Sequence, residues 1–167
     1  FMAIMSMARA GLVVALATLT LLAGCDEQRI KELEEGLSTE VDVRDRFGVP
    51  EYIWQEPDGS RTLEYNRQPA GERNYMITIG TDGKMSALRQ VLTPQNFEKI
   101  LPGMTQEQVR RMLGKPSKMV PYELKKEIEW DWNWIDPPTR KMLFTVVFGP
   151  DLLVKKSYSA EKLHDGP

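Results

Sequence analysis

The residue types that most often carry out catalysis or bind metals are scarce in this sequence. It contains one cysteine, Cys25, and one histidine, His164. A single cysteine cannot form an internal disulfide, and a lone histidine cannot supply a zinc site. Residues 80–84 (GTDGK) lack the spacing of a phosphate-binding loop and are typical of a hairpin turn. No nucleophile, base and orienting group come together, so we expect a protein that is not an enzyme, with no catalytic residue, metal or bound cofactor.

Cys25 follows a segment with the features of an export signal. Residues 11–22 are an uncharged, largely apolar run behind Arg9, too short for a comfortable membrane span, and the sequence Leu-Ala-Gly-Cys ends at Cys25. This pattern resembles the lipobox of bacterial lipoproteins, whose cysteine is lipidated and becomes the mature N-terminus. The resemblance implies a signal peptide at 1–24 and a covalent lipid such as palmitate on Cys25. The alternative is an ordinary secreted protein cleaved near Ala23 and Gly24.

The charge composition excludes some partners. The chain has 22 basic and 24 acidic side chains, for a net charge of −2, without a long block of either sign. Nucleic-acid binding needs a concentrated basic surface, and adhesion to anionic lipid needs clustered cations. We therefore expect no nucleic-acid partner, and membrane attachment only through the lipid anchor.

Residues 105–116 (TQEQVRRMLGKP) repeat residues 39–50 (TEVDVRDRFGVP) with a shift of 66 positions. The matching positions are Thr39 with Thr105, Val43 with Val109, Arg44 with Arg110, Gly48 with Gly114 and Pro50 with Pro116. Such self-similarity indicates two copies of one supersecondary unit.

Each copy has the signals of a short helix. The threonine is a natural N-cap, and a polar residue three positions later, Asp42 or Gln108, completes a capping box. The glycine suits the left-handed position after the helix, and the following proline prevents its continuation. Apolar residues four positions apart, such as Val43 and Phe47, predict one buried face.

The repeat continues into strands. Glu64 and Tyr65 are matched with Glu129 and Trp130, and residues 77–85 with 146–154. Turn signals separate the strands within each copy. The pattern predicts an α+β protein of two tandem helix-helix-three-strand repeats with antiparallel sheets. The first repeat, with an N-terminal tether, spans 25–91, the second spans 92–158, and 159–167 is a flexible tail within a polar segment that starts at Lys155.

The strongest strand pattern lies at residues 127–134 (EIEWDWNW), where apolar and polar residues alternate without a break. Trp130, Trp132 and Trp134 share one face, which forms either core or an exposed platform for a protein partner. The platform hypothesis makes Trp54, Tyr65, Trp132 and Trp134 the candidate partner-binding residues, with Trp134 the most exposed. The opposite face carries three acids that could meet a basic partner.

The motif from Pro102 to Pro116 (PGMTQEQVRRMLGKP), placed behind a lipobox and followed by aromatic strands, resembles the SmpA/OmlA (BamE-like) lipoprotein family. The match is close in the second repeat and loose in the first. The tandem arrangement is also similar to β-lactamase inhibitor proteins, which grip an enzyme through an aromatic sheet face.

The resemblance implies a lipid-anchored, periplasm-facing protein that binds an envelope protein, such as the β-barrel assembly machinery, in outer-membrane protein assembly or envelope maintenance. The outer membrane is the expected location, and Asp26 after the cysteine leaves the inner membrane as an alternative. The alternative function is an inhibitor-like module that holds a periplasmic enzyme against a sheet lined by Tyr52, Trp54, Tyr65, Trp132 and Trp134.

Overall fold

The structure, a computed structural model, describes residues 25–163, so the predicted signal peptide and His164 lie outside it. The first unit contains α1 (Cys25–Lys31), α2 (Glu40–Phe47), β1 (Tyr52–Gln55), β2 (Arg61–Asn66), β3 (Asn74–Ile79) and β4 (Met85–Gln90). The second contains α3 (Pro94–Phe97), α4 (Gln106–Leu113), β5 (Lys118–Tyr122), β6 (Glu127–Asp136), β7 (Arg140–Phe148) and β8 (Val154–Glu161). No helix within residues 25–163 has the length and hydrophobicity that a membrane crossing requires.

Each unit forms one antiparallel sheet whose strands follow in chain order, β1 to β4 and β5 to β8. The predicted α+β class and the two tandem repeats are confirmed, with four strands in each sheet rather than three. The expectation of a loose segment from Lys155 was wrong, because β8 continues to Glu161 and pairs with β7. The side chains of β8 are mostly exposed and polar, so its sequence lacks the apolar alternation by which a strand is predicted.

The two capped helices have the predicted ends. Both α2 and α4 carry a complete capping box, formed by Thr39 with Asp42 and by Thr105 with Gln108. Gly48 has φ 84° and ψ −158°, and Gly114 has φ 79° and ψ −173°. These values have the expected positive φ but lie in an extended region that is essentially confined to glycine, rather than in the left-handed helical region.

The strand register and two equivalent hydrogen bonds correct the predicted match between the repeats. Leu63 pairs with Ile77 and Trp130 pairs with Val146, so Leu63 and Trp130 hold the same place in the two sheets. The Tyr65 hydroxyl donates to the Gly48 carbonyl at 2.8 Å, and Trp132 Nε1 donates to the Gly114 carbonyl at 3.1 Å. Tyr65 therefore corresponds to Trp132, two residues beyond the predicted Trp130. Acid-tryptophan pairs occur twice in succession in β6, so the sequence alone could not fix the register.

The hydrophobic residues form two cores. The first lies between α2 and the first sheet, and its buried members are Val43, Phe47, Leu63, Tyr65, Tyr75, Ile77, Ile79 and Met85. The second surrounds α4 and the tryptophans of β6, and it also includes Trp54 and Met76 from the first sheet. Because the second core takes residues from both sheets, α4 joins the two repeats into one packed body.

Candidate functional site

The four predicted partner-binding residues are all in the core. Their exposed fractions are 7% for Trp54, 1% for Tyr65, 0% for Trp132 and 4% for Trp134. In this fold the tryptophan face of β6 packs on α3 and α4 and does not form an exposed platform, and Trp134 is not the exposed member. Burial of these large aromatic groups is a major apolar contribution to stability. Cys25 begins α1, and its lipidation stays a prediction.

The two repeats meet where α4 packs on the first sheet, and we call this contact the joint. It is centred on a fully buried carboxylate, Glu64. Its side chain has 0% exposure and accepts hydrogen bonds from Trp54 Nε1 at 3.3 Å, Asn66 Nδ2 at 2.8 Å and Arg110 Nη2 at 3.1 Å. A buried charge is tolerated only when it is paired and hydrogen-bonded, and these donors satisfy it. Arg110 lies on α4, so this ion pair connects the second repeat to the first sheet.

Two arginines of α4 also stack on aromatic rings of β1. The Arg110 guanidinium lies 5.3 Å from the Tyr52 ring centroid, and that of Arg111 lies 4.7 Å from the Trp54 ring centroid. Arg111 additionally pairs with Glu56 at 3.6 Å. A guanidinium combines planar stacking with ion pairing, which an ammonium group does poorly. The joint is therefore formed by a capped helix, α4, whose arginines contact acidic and aromatic side chains of the first repeat.

The end of α4 fits the first sheet through two buried asparagines. Asn74 Nδ2 donates to the Leu113 carbonyl at 2.8 Å, and the Lys115 backbone N–H donates to Asn66 Oδ1 at 3.1 Å. A Cβ atom on Gly114 would lie 2.5 Å from Asn66 Oδ1 and 2.9 Å from Asn74 Nδ2. Gly114 is thus required both by its backbone conformation and by the closeness of the repeats.

A second inter-repeat contact lies beyond the end of β5. Gln68 Nε2 donates to the Asn133 carbonyl at 2.7 Å, and the Asn133 backbone N–H donates to Gln68 Oε1 at 2.9 Å. The amide side chain satisfies backbone groups of β6 that β5 does not reach. This contact fixes the loop after β2 against the second sheet.

A cleft of about 610 Å³ opens beside the joint. Trp54 and Met76 line it, and Arg89, Lys99 and Asp58 are exposed around it. Asp58 accepts from the Ser60 hydroxyl, and hydrogen bonds from Ser60 lower the pKa of this carboxyl. Neither Arg89 nor Lys99 forms an ion pair among the described residues. The cleft therefore presents two unpaired cations and the Asp58 carboxylate beside apolar and hydroxyl groups.

The second sheet has an outer face, the side away from α4, which bears Tyr122, Glu129, Asp131, Thr145 and Tyr158. Tyr122 and Tyr158 are 43% and 46% exposed, and the Thr145 hydroxyl donates to Asp131 at 2.7 Å. The negative charge of Glu129 beside Tyr122 raises the pKa of that phenol. Lys118 and Lys156 lie on the same face, opposite Asp131 and Val147, so the face carries charges of both signs beside its phenols. The strand pattern indicated the acids, but only the pairing of strands brought the tyrosines beside them.

Within residues 25–163, no group of three His, Cys, Asp or Glu side chains comes together in a way that could hold a metal ion. The most deeply buried acid, Glu64, is held by donors on three sides at the joint.

Comparison with known proteins identifies one part of the chain. Residues 90–131 match the family model of the outer membrane protein assembly factor BamE domain. The match runs from the end of β4 through α3, α4 and β5 into β6, so it confirms the resemblance seen at Pro102 to Pro116. The class defined by fold and sequence is thus an α+β protein with a BamE-like second repeat.

Two solved structures align with most of the chain. A DUF4309 family protein from Bacillus subtilis is 21% identical, with 78% of this chain and 82% of that chain covered and a TM-score of 0.30. A candidate β-lactamase inhibitor protein from Streptococcus mutans is 12% identical, with 74% and 82% covered and a TM-score of 0.32. The comparison with curated proteins gives no match.

Proposed function

We propose that this protein is a lipid-anchored, periplasm-facing binding protein that acts in outer-membrane protein assembly or in maintenance of the cell envelope. The observation that carries the proposal is the BamE domain match over residues 90–131. Those residues build α3, α4 and the joint, which hold the two repeats together. The protein acts without catalysis, by presenting a rigid surface to an envelope protein.

The cleft beside the joint is the surface that best fits such a partner. Arg89, Lys99 and Asp58 line it with exposed charges, two positive and one negative, and the largely buried Trp54 and Met76 contribute to its apolar wall. Interfaces commonly combine a buried apolar centre with a polar rim, and charge complementarity sets the partner's sign. We therefore assign the cleft to an acidic segment of the partner protein.

A photo-cross-linking experiment in cells tests this assignment. A photoreactive residue at Lys99 reports on the cleft, and one at Leu124, which is fully exposed in the β5–β6 turn, serves as the matched control. We expect subunits of the β-barrel assembly machinery to be captured from Lys99 and not from Leu124. Capture of a single soluble periplasmic enzyme instead would overturn the assembly proposal.

Charge reversal at the cleft provides the second test. Arg89→Glu with Lys99→Glu should reduce co-purification of the partner at least tenfold, because it places acids opposite an acidic segment. The control reverses two exposed lysines elsewhere, Lys125→Glu with Lys162→Glu. Equal recovery with both double variants would show that the cleft does not bind the partner.

The lipid anchor needs its own measurement. Growth with an alkyne fatty acid should label the protein, and Cys25→Ser should abolish the label and release the protein from membranes. Density-gradient separation of the membranes then distinguishes the outer membrane from the inner membrane, the alternative raised by Asp26. A labelled Cys25→Ser variant would contradict the proposed anchor.

The geometry gives no support to the enzyme-gripping alternative. That hypothesis needed a sheet face lined by five aromatic residues, and the structure buries four of them: Trp54, Tyr65, Trp132 and Trp134. Tyr52 is the exception at 45% exposed, and it already stacks under Arg110.

A further inference from the structure

The joint has two sides, the Glu64 face of the first sheet and the Arg110 side of α4. Each side has an equivalent surface in the other repeat, and among the described residues that surface carries no packed helix or sheet. On the first sheet, the face that carries Glu64 is covered by α4. The corresponding outer face of the second sheet carries no such helix among residues 25–163, and Tyr122 and Tyr158 on it remain half exposed. Conversely, Val41 on α2 and Val49, two residues after its end, are exposed, at 66% and 83%.

Arg44 of α2 occupies the position that Arg110 of α4 uses at the joint. The shift of 66 residues places Val41 at the position of Glu107, Arg44 at that of Arg110, and Val49 at that of Lys115. On α4, Arg110 binds Glu64 and the Lys115 backbone binds Asn66. Where the second repeat carries the exposed charged residues Glu107 and Lys115, the first repeat exposes aliphatic side chains beside Arg44, and such exposed apolar groups commonly mark a docking face.

The second sheet provides an acid at the matching place. Glu64 lies opposite Met76 in the first sheet, and Asp131 lies opposite Thr145 in the second, at equivalent steps of the two ladders. Asp131 forms no ion pair among the described residues, and neither does Glu129 two residues earlier. Lys118 lies opposite Asp131 across the β5–β6 pairing but forms no ion pair with it. Within residues 25–163, Asp131 is thus an unpaired carboxylate at the place where the first sheet has Glu64, which receives an arginine.

A second contact of the joint, between Arg111 and Glu56, has different residues at both positions in the other repeat. Arg111 of α4 meets Glu56, whereas the corresponding residues are Asp45 on α2 and Tyr122 at the end of β5. The ion pair of Arg111 with Glu56 therefore has no counterpart in the second repeat, where the Tyr122 phenol lies beside Glu129. Arg44 itself is held only loosely, because its ion pair with Glu40 measures 3.7 Å.

We propose that the outer face of the second sheet binds α2 of a second copy of this chain. Arg44 of one copy pairs with Asp131 of the next, and Val41 and Val49 cover the apolar and phenolic groups around it. The contact joins two different surfaces and is therefore heterologous, so it extends head to tail instead of closing a symmetric dimer. The proposal is independent of the cleft and of the assembly function.

Sedimentation velocity on the purified full chain in mild detergent tests the proposal. The wild type should associate beyond a dimer as concentration rises, and Arg44→Glu or Asp131→Arg should each abolish this. An equimolar mixture of the two variants should associate again, because one contact keeps Arg44 with Asp131 and the other joins the two reversed charges, which again have opposite signs. A wild type that remains monomeric throughout, or a mixture that fails to associate, overturns the proposal.

Matched controls separate docking from folding. Arg46→Glu reverses a charge on the side of α2 that pairs with Glu32, and Glu123→Arg reverses one in the β5–β6 turn, so both should associate as the wild type does. Val49→Asp alters a side chain that is 83% exposed and should block association without lowering the melting temperature. Association that survives Val49→Asp, or that Arg46→Glu abolishes, excludes the proposed face.

Discussion

The two glycines that end α2 and α4 allow a test of the joint in which backbone conformation is held constant. Gly48 and Gly114 have nearly the same φ, 84° and 79°, and both lie in the extended region that only glycine readily adopts. A Cβ on Gly48 would meet nothing within 4 Å, whereas a Cβ on Gly114 would collide with two asparagines of the first sheet. The two glycine-to-alanine substitutions should therefore differ in stability only through the steric clash at Gly114 with the first sheet.

The magnitude follows from the contacts. Gly48→Ala should cost about 1–3 kcal/mol, the strain of placing a non-glycine residue in this region. Gly114→Ala should carry the same strain and also displace Asn66 and Asn74, whose hydrogen bonds to Lys115 and Leu113 contribute about 0.5–1.5 kcal/mol each. The second variant should therefore be less stable than the first by about 1–3 kcal/mol.

Urea unfolding followed by circular dichroism measures both free energies, and a double-mutant cycle locates the cause. Removing the clashing amide with Asn66→Ala should make the effects of Asn66→Ala and Gly114→Ala less than additive, because the substitutions share one contact. Asn66→Ala and Gly48→Ala should be additive. Equal losses for the two glycine variants would refute the argument that the joint excludes a side chain at Gly114.

Three further predictions concern the joint and the caps. Glu64→Gln should destabilise the protein by about 2 kcal/mol, because it weakens a charged hydrogen bond to α4, whereas Glu129→Gln should change the midpoint in urea little; similar losses would contradict the role of the buried acid. Thr39→Ala and Thr105→Ala should each cost about 1 kcal/mol by thermal unfolding, and a neutral result would show that the capping boxes do not stabilise α2 and α4. Hydrogen bonds from Thr39 hold the pKa of Asp42 below its ordinary range, so its stabilisation is present above the unfolded pKa and lost as pH falls through the folded pKa. NMR titration should show this lowered value, and an ordinary or raised pKa for Asp42 would contradict it.

Local chemistry explains how much of the fold was predictable. The caps at Thr39 and Thr105, the glycines after the helices and the alternation in β6 depend on neighbours within a few residues, which a sequence displays directly. The strand β8 was missed because its exposed polar side chains leave no apolar alternation, and its pairing with β7 comes from the backbone. The match of Tyr65 with Trp130 failed because a two-residue shift preserves the same face of a strand.

The sequence by itself determined the repeat, the helix ends, the segment that matches the BamE domain and the face shared by Trp130, Trp132 and Trp134. Only the tertiary structure decided that this face is core, because burial depends on where α4 packs and not on the strand's own pattern. It also decided that Glu64, an ordinary polar position in β2, is the buried centre of the joint. Its donors come from residues 2, 10 and 46 positions away, and a carboxylate is stable there only when all of them converge.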